Sequence, residues 1–237
     1  MKHKRRKTHS SPSKRALKLA ALSGAGLGLA WGVQADTILT FDGFSVNNTP
    51  IGTLPGYGDN VIENSPDYTV SPGFGGIIGT PDIALDWIGT WDTYTGWDGR
   101  GSVAQSDFNG GPIVSILFTP SASSAVRLLS FELDEWAGGG DGSITWSLTG
   151  ASSGLLNSGT WTMAGTGGRT TIRTGLSGAI GEAVTLSLQL NTGSGSYFAL
   201  DNLTFAQVPE PSSLALGAAG ALVAVGAAAM RRRRRSC

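Results

Sequence analysis

Thr185-Leu186-Ser187-Leu188-Gln189-Leu190 alternates polar and apolar residues one for one. Successive side chains of an extended strand point to opposite faces, so this stretch puts its leucines on one face and its hydroxyl and amide groups on the other. Ile144-Thr145-Trp146-Ser147-Leu148 repeats the pattern. Such alternation marks a half-buried β-strand and does not suit an amphipathic helix, whose apolar positions recur every third or fourth residue. Further runs rich in Val, Ile, Leu, Thr, Phe and Trp occupy 37–41, 113–118, 126–133, 159–163, 170–174 and 197–205, and the two alternating stretches extend over 143–148 and 183–190. Gly138-Gly139-Gly140-Asp141-Gly142 and Gly167-Gly168 fall between them as turns. Short strands at this spacing predict an all-β body, a two-sheet antiparallel β-sandwich of jelly-roll type.

Outside that body the chain changes character. The formal net charge of the 237 residues is +0 at pH 7, but the charges are segregated. Lys2, Lys4, Arg5, Arg6, Lys7, Lys14, Arg15 and Lys18 crowd the start, and Arg231, Arg232, Arg233, Arg234 and Arg235 crowd the end. Between them the only cations are Arg100, Arg127, Arg169 and Arg173, whereas all 17 acids fall between Asp36 and Glu210. So acidic a body excludes nucleic acid as a partner. Both histidines, His3 and His9, lie in the basic start, and the single cysteine, Cys237, follows the arginine run. The body therefore has no His, Cys or Lys, which excludes Ser-His-Asp and Cys-His catalysis, zinc sites of His and Cys, and Schiff-base chemistry.

The two ends read as addresses. A basic region to Lys18, an apolar run over 19–33 and the small-residue cut site Val33-Gln34-Ala35 form the layout of a secretory signal, 1–35. The mature chain would begin at Asp36. The apolar stretch 214–230 is long enough for a membrane-crossing helix, and the arginines after it place the tail in the cytoplasm and the body outside. Before it stands Val208-Pro209-Glu210-Pro211, whose prolines keep the junction extended. Pro-Glu-Pro, an apolar span and a terminal arginine cluster together resemble the PEP-CTERM sorting signal of Gram-negative bacteria, here 208–237. The resemblance implies an exosortase-type membrane protease acting near Pro209 to Pro211. It also implies a membrane-anchored precursor that ends on the cell surface or in an exopolysaccharide-associated matrix.

A second resemblance covers Ser196-Tyr197-Phe198-Ala199-Leu200-Asp201-Asn202-Leu203-Thr204-Phe205, which is similar to the closing strand of galactose-binding-like jelly rolls. It implies that Asp201 helps hold a structural calcium ion; no other cofactor is expected. The competing reading makes Asp201 an acid at a strand irregularity, bonded to backbone. The loop acids Asp82, Asp86, Asp92, Asp98, Asp107 and Asp141 suit calcium chemically but lack the spacing of a calcium-binding loop.

Trp87, Trp91, Tyr94 and Trp97, interleaved with Asp86, Asp92 and Asp98, are the candidate glycan contacts. Aromatic faces stack on the C–H faces of sugars and acids accept their hydroxyl hydrogens, although a Gly-rich sandwich also needs large side chains in its core. Glu132 and Asp134 share a strand face at about 7 Å, a spacing open to acid and base work but equally that of a solvated face. The expected organisation is thus a signal at 1–35, a body at 36–207 and a sorting signal at 208–237. The expected function is a non-enzymatic, structural or adhesive surface protein. A carbohydrate-binding module and a carboxylate-based glycoside hydrolase or lyase are the alternatives.

Overall fold

The computed structural model describes residues 36–44, 47–48, 51, 56–62, 73–99, 101–106, 113–138, 141–192 and 197–209. The expected signal segment 1–35, Glu210 and Pro211, the apolar span 214–230 and Arg231 to Arg235 lie outside the described residues. Among the described residues no helix is long and apolar enough to cross a membrane.

The elements are β1 (Asp36–Leu39), β2 (Ile83–Ile88), β3 (Asp92–Thr95), β4 (Ser102–Ser106), β5 (Ile113–Pro120), β6 (Ser124–Glu135), β7 (Asp141–Gly150), β8 (Gly154–Ala164), β9 (Arg169–Ser177), β10 (Val184–Thr192) and β11 (Phe198–Pro209). They form two antiparallel sheets. One is six-stranded, in the order β3-β4-β11-β6-β9 with β1 also on β11; the other is five-stranded, in the order β2-β5-β10-β7-β8. The alternating stretches that define the fold sit side by side in the second sheet, where Leu186 of β10 faces Ile116 of β5 and Leu148 of β7. The expected all-β sandwich is the observed one. The stretches 83–88, 92–95 and 102–106 add three strands that the alternation did not reveal.

Aromatic pairs bridge the two sheets. Phe118 of β5 meets Phe205 of β11 at 5.2 Å between ring centroids, and Phe131 of β6 meets Trp146 of β7 at 5.8 Å. All four are buried, and edge-on contacts of this kind add about 1 kcal/mol beyond the area they remove from water. At one end the core is closed by Phe41, Phe44, Tyr57, Phe74 and Trp87, which lie outside the strands or at their edge.

A bulge in β6 decides which face of the first sheet is chemically interesting. Val126 and Leu128 point into the core, the register shifts between Leu128 and Ser130, and thereafter Phe131 and Leu133 point inward. The extra residue switches the parity of the strand, which turns Glu132 and Asp134 to the outer face.

Candidate functional site

The outer face of the six-stranded sheet is built by cross-strand pairing. Asp92 of β3 lies opposite Gln105 of β4, Gln105 opposite Ala199 of β11, Ala199 opposite Asp134 of β6, and Asp134 opposite Arg169 of β9. A neighbouring row holds Tyr94 opposite Val103, and Asp201 opposite Glu132 opposite Thr171. One end of this face is aromatic and its middle is ionic.

At the aromatic end, Trp97, Val103 and Ala199 form a small buried cluster, separate from the main core, against which Tyr94 and Trp136 pack. The β3–β4 turn makes this arrangement. Gly96 and Trp97 both donate their N–H to the Gly101 carbonyl, at 2.8 and 3.1 Å, and Asp98 adopts a left-handed φ of 42°. That fold-back lays Trp97 over the sheet. The N–H of Ala137 donates to Asp98 Oδ2 at 2.9 Å, which pins the loop that carries Trp136 against the same turn. Three rings then meet edge-on: Tyr94 to Trp97 at 5.6 Å, Tyr94 to Trp136 at 5.5 Å and Trp97 to Trp136 at 5.0 Å.

Above them opens a groove of about 470 Å³ lined by Asn48, Tyr94, Trp97, Gln105, Trp136, Gly138 and Tyr197. Gln105 Nε2 donates to Asn48 Oδ1 at 3.2 Å, so two amides stand beside the aromatic wall. Asn48 is held by its own N–H, which donates to the Thr93 carbonyl at 2.8 Å along the outer edge of β3. Tyr197 is exposed, whereas Trp97 is buried and its indole N–H has no acceptor among the described residues.

The ionic middle is organised by Arg169. Its Nε donates to Asp134 Oδ2 at 2.9 Å, its Nη1 to Glu132 Oε2 at 3.0 Å, and its Nη2 lies 3.1 Å from Asp201 Oδ2. Asn202 Nδ2 and Thr171 Oγ1 also donate to Glu132, at 2.8 and 3.1 Å. Glu132 and Asp134 are therefore ion-pair partners of one guanidinium. Asp201 Oδ1 accepts the N–H of Asn202 at 2.7 Å where β11 bulges and Asn202 has a φ of 46°. Burial pushes the Asp201 carboxyl up to about 6; the Asn202 N–H and Arg169 oppose the rise, and Glu132 and Asp42 add to it. Burial also disfavours the Arg169 charge, but Asp134, Asp201 and Glu132 outweigh it and hold the guanidinium above its usual range. A calcium ion on Asp201 would have to compete with Arg169 for the same oxygen. Among the described residues no group of three or more His, Cys, Asp or Glu is arranged to hold a metal ion; Asp107 lies outside them.

The expected aromatic contacts separate into two sets. Trp91 is buried in the main core, its indole N–H donating to the Ser115 carbonyl at 3.2 Å and its ring 5.7 Å from Phe198. Trp87 packs on that core from its margin and donates to the Tyr57 carbonyl at 3.3 Å. Tyr94 and Trp97, beyond the start of β3, stand on the opposite side of the sheet at the groove. Sequence reasoning did not include Asn48, Gln105, Trp136 and Tyr197 among the candidates. Only Trp136 carried a local signal, since it shares strand parity with Glu132 and Asp134.

No protein-family model matches this sequence, and no curated protein is similar to it. Among solved structures, the chain is similar to an arabinose-bound α-L-arabinofuranosidase at 12% identity and a TM-score of 0.39, over 74% of this chain and 26% of that one. An exo-β-agarase matches at 12% identity and a TM-score of 0.34, over 56% and 23%. A family 11 carbohydrate-binding module from Clostridium thermocellum, bound to a mixed-linked tetrasaccharide, matches at 10% identity and a TM-score of 0.27, over 56% and 92%. The match spans about a quarter of the length of the first two. Overlap at this level says nothing about what this chain binds.

Proposed function

We propose that this chain is an exported, non-catalytic surface or matrix protein whose β-sandwich binds carbohydrate in the groove walled by Tyr94, Trp97, Trp136 and Tyr197. The observation that carries the reading is the aromatic wall itself, which places rings for stacking beside the Asn48 and Gln105 amides. Sugars present C–H faces to rings and hydroxyls to amides, which suits a groove that offers both. Export and sorting by an exosortase-type protease are supported by the signal layout and by Val208-Pro209-Glu210-Pro211 with its apolar span and arginine run.

The test is binding of the full chain to a polysaccharide panel by affinity electrophoresis and calorimetry, with and without chelator. Saturable binding is expected, weakened about tenfold or more by Trp136→Ala and by Tyr197→Ala without a change in melting temperature for the exposed Tyr197. Absence of binding across the panel, or binding indifferent to both substitutions, overturns the reading. Mass spectrometry of the protein from its native envelope tests the sorting half, with ends at Asp36 and near Pro209 to Pro211 expected.

A further inference from the structure

A strand at the edge of a sheet offers unpaired N–H and C=O groups to any other strand, and proteins cover or charge such edges. Most outer edges here are treated in this way. Beside β2, the N–H of Leu85 donates to Asp59 Oδ1 and the N–H of Asn60 to the Ile83 carbonyl, both at 2.6 Å. Beside β3, the N–H groups of Asn48 and Ile51 donate to the Thr93 and Trp91 carbonyls at 2.8 and 2.7 Å. Beside β1, Ile38 and Ile77 exchange hydrogen bonds at 3.4 and 3.2 Å. The edge strand β9 carries Arg169 and Arg173. β8 differs from all of these. It ends the five-stranded sheet, pairs with β7 alone among the described residues, and holds neither a charged residue nor a proline over Gly154–Ala164. Its register on β7 runs without a shift from Asn157 to Ala164.

Two hydrogen bonds give the direction of its outer groups. The N–H of Ser158 donates to Asn157 Oδ1 at 2.9 Å and that of Ala164 to Glu135 Oε2 at 2.6 Å, so both turn away from β7. Residues of an antiparallel strand alternate between bonding one neighbour and bonding the other, so Thr160 and Thr162, of the same parity, also aim their N–H and C=O groups off the sheet. We propose that β8 is a self-association edge, where a second copy of this chain pairs antiparallel, β8 to β8, and two five-stranded sheets become one. Outward groups meet outward groups when Thr160 lies opposite its own counterpart and Ser158 opposite Thr162 on either side. That register forms about six backbone hydrogen bonds, two of which take the Ser158 N–H from Asn157. It is its own two-fold mate, so the contact closes as a dimer and does not propagate. What fits the edge to a second copy is this symmetry together with the lack of charge, since no like charges meet across the axis. The groove lies on the other sheet, so the dimer presents two of them, which raises avidity for a polymer that reaches both.

Sedimentation of the full chain tests this, with amide exchange as the site-resolved readout. A reversible dimer is expected at about 0.1 to 1 mM, as suits a contact of one strand pair. Exchange at the Thr160 and Thr162 amides should slow as protein concentration rises. Thr160→Pro removes an outward N–H and no rung to β7, so it should weaken the dimer about tenfold or more with little change in melting temperature. Thr160 is exposed, so Thr160→Lys and Thr160→Glu leave the fold intact but set like charges opposite each other at the axis. Each of these two variants is expected to be monomeric, and their mixture to dimerise. Should Thr160→Pro fail to fold, that charge pair decides alone. A parent that is monomeric at about 1 mM, or that forms open polymers, overturns the proposal. So does association that survives the charge variants, which would lie elsewhere in the chain, or association that the mixture does not restore.

Discussion

Arg169 meets Glu132, Asp134 and Asp201 together, and its removal would take a guanidinium away from Asp134, which is fully buried. Breaking a buried ion pair by deleting one partner costs about 3 to 5 kcal/mol, because the remaining charge is still desolvated. Arg169→Ala is therefore expected to lower the urea midpoint strongly at pH 7.5 and less at pH 4, where Asp201 takes up a proton. An equal loss at both values would show that the guanidinium acts through packing alone. Asp201 makes the opposite kind of contribution. Its folded value of about 6 lies above the ordinary 3.8, so the folded state binds the proton more tightly than the unfolded state. The penalty is absent below the ordinary value and grows as pH rises through about 6, reaching on the order of 3 kcal/mol. Asp201→Asn should flatten the fall in stability of the wild-type protein between pH 4 and 7. A variant whose stability falls as steeply as the parent over that window would show that Asp201 ionises normally.

At the scale of elements, carboxylates tie the loops between strands. Glu182 accepts the N–H and hydroxyl of Ser152 at 2.7 Å each, the N–H of Ser153 at 2.6 Å and its hydroxyl at 2.8 Å, and the N–H of Ala179 at 2.6 Å. It thereby joins the β7–β8 turn to the segment that leads into β10. Gly150 is required beside it, since a Cβ there would come within 2.6 Å of Glu182 Oε1. These donors, led by the Ala179 N–H, hold the carboxyl far below its ordinary 4.5. Its contribution is thus present above that value and is lost as pH falls below it. Glu182→Gln should destabilise the protein at pH 7, speed amide exchange at Ser152, Ser153 and Ala179, and cost less as pH falls below 4.5, with part of the loss still present at pH 3. Unchanged exchange at those amides would remove Glu182 from this role. Glu135 acts alike on the β8–β9 turn: burial would raise its carboxyl, but the N–H groups of Gly168, Thr166 and Ala164 and the Thr166 hydroxyl lower it instead. Little of this was legible in the sequence, because apart from Ala179 the donors lie 29 to 33 residues from either Glu. Alternation revealed the strands around Trp146 and Leu188, which have one wet face each. It missed β2, where Trp87 and Ile88 are consecutive and apolar, and β4, whose Ser102, Gln105 and Ser106 are buried despite their polarity. The groove was half legible: a run of aromatics and acids pointed to Tyr94 and Trp97. Only the strand boundary between Trp91 and Asp92 separates them from the core residues Trp87 and Trp91. Tyr197 and Asn48 reach the groove through pairing across the sheet, which one sequence does not display.

For the whole molecule, the organising element is β11, which pairs with β6 along its length and with β4 and β1 on its other edge. Its ladder continues past Gln207, with Val208 opposite Ala125 and Pro209 opposite Ser124. The first residues of the expected sorting signal are therefore also the last rungs of the sandwich. Gln207 itself clips β11 to the other sheet, donating to Asp82 Oδ2 at 2.6 Å and accepting the Asp82 N–H at 3.1 Å. At the other end, β1 pairs Asp36 with Ala206 and Leu39 with Leu203, and Thr37 and Leu39 are fully buried. A mature chain that starts at Asp36 keeps every rung of β1, whereas one trimmed past Leu39 opens the edge of β11 and a wall of the core. Ending the chain at Gln207 instead of Pro209 should cost about 1 kcal/mol, from a half-buried valine and the lost rungs. Deleting 36–39 should cost 3 kcal/mol or more, since burying Leu39 alone contributes about 2 kcal/mol and the unpaired strand edge adds to the loss. Denaturant titrations of the three trimmed chains, 36–209, 36–207 and 40–209, give both differences. If the last two matched the first, β11 would owe its position to β6 alone, and a sorting protease could cut upstream of Val208 without loosening the fold.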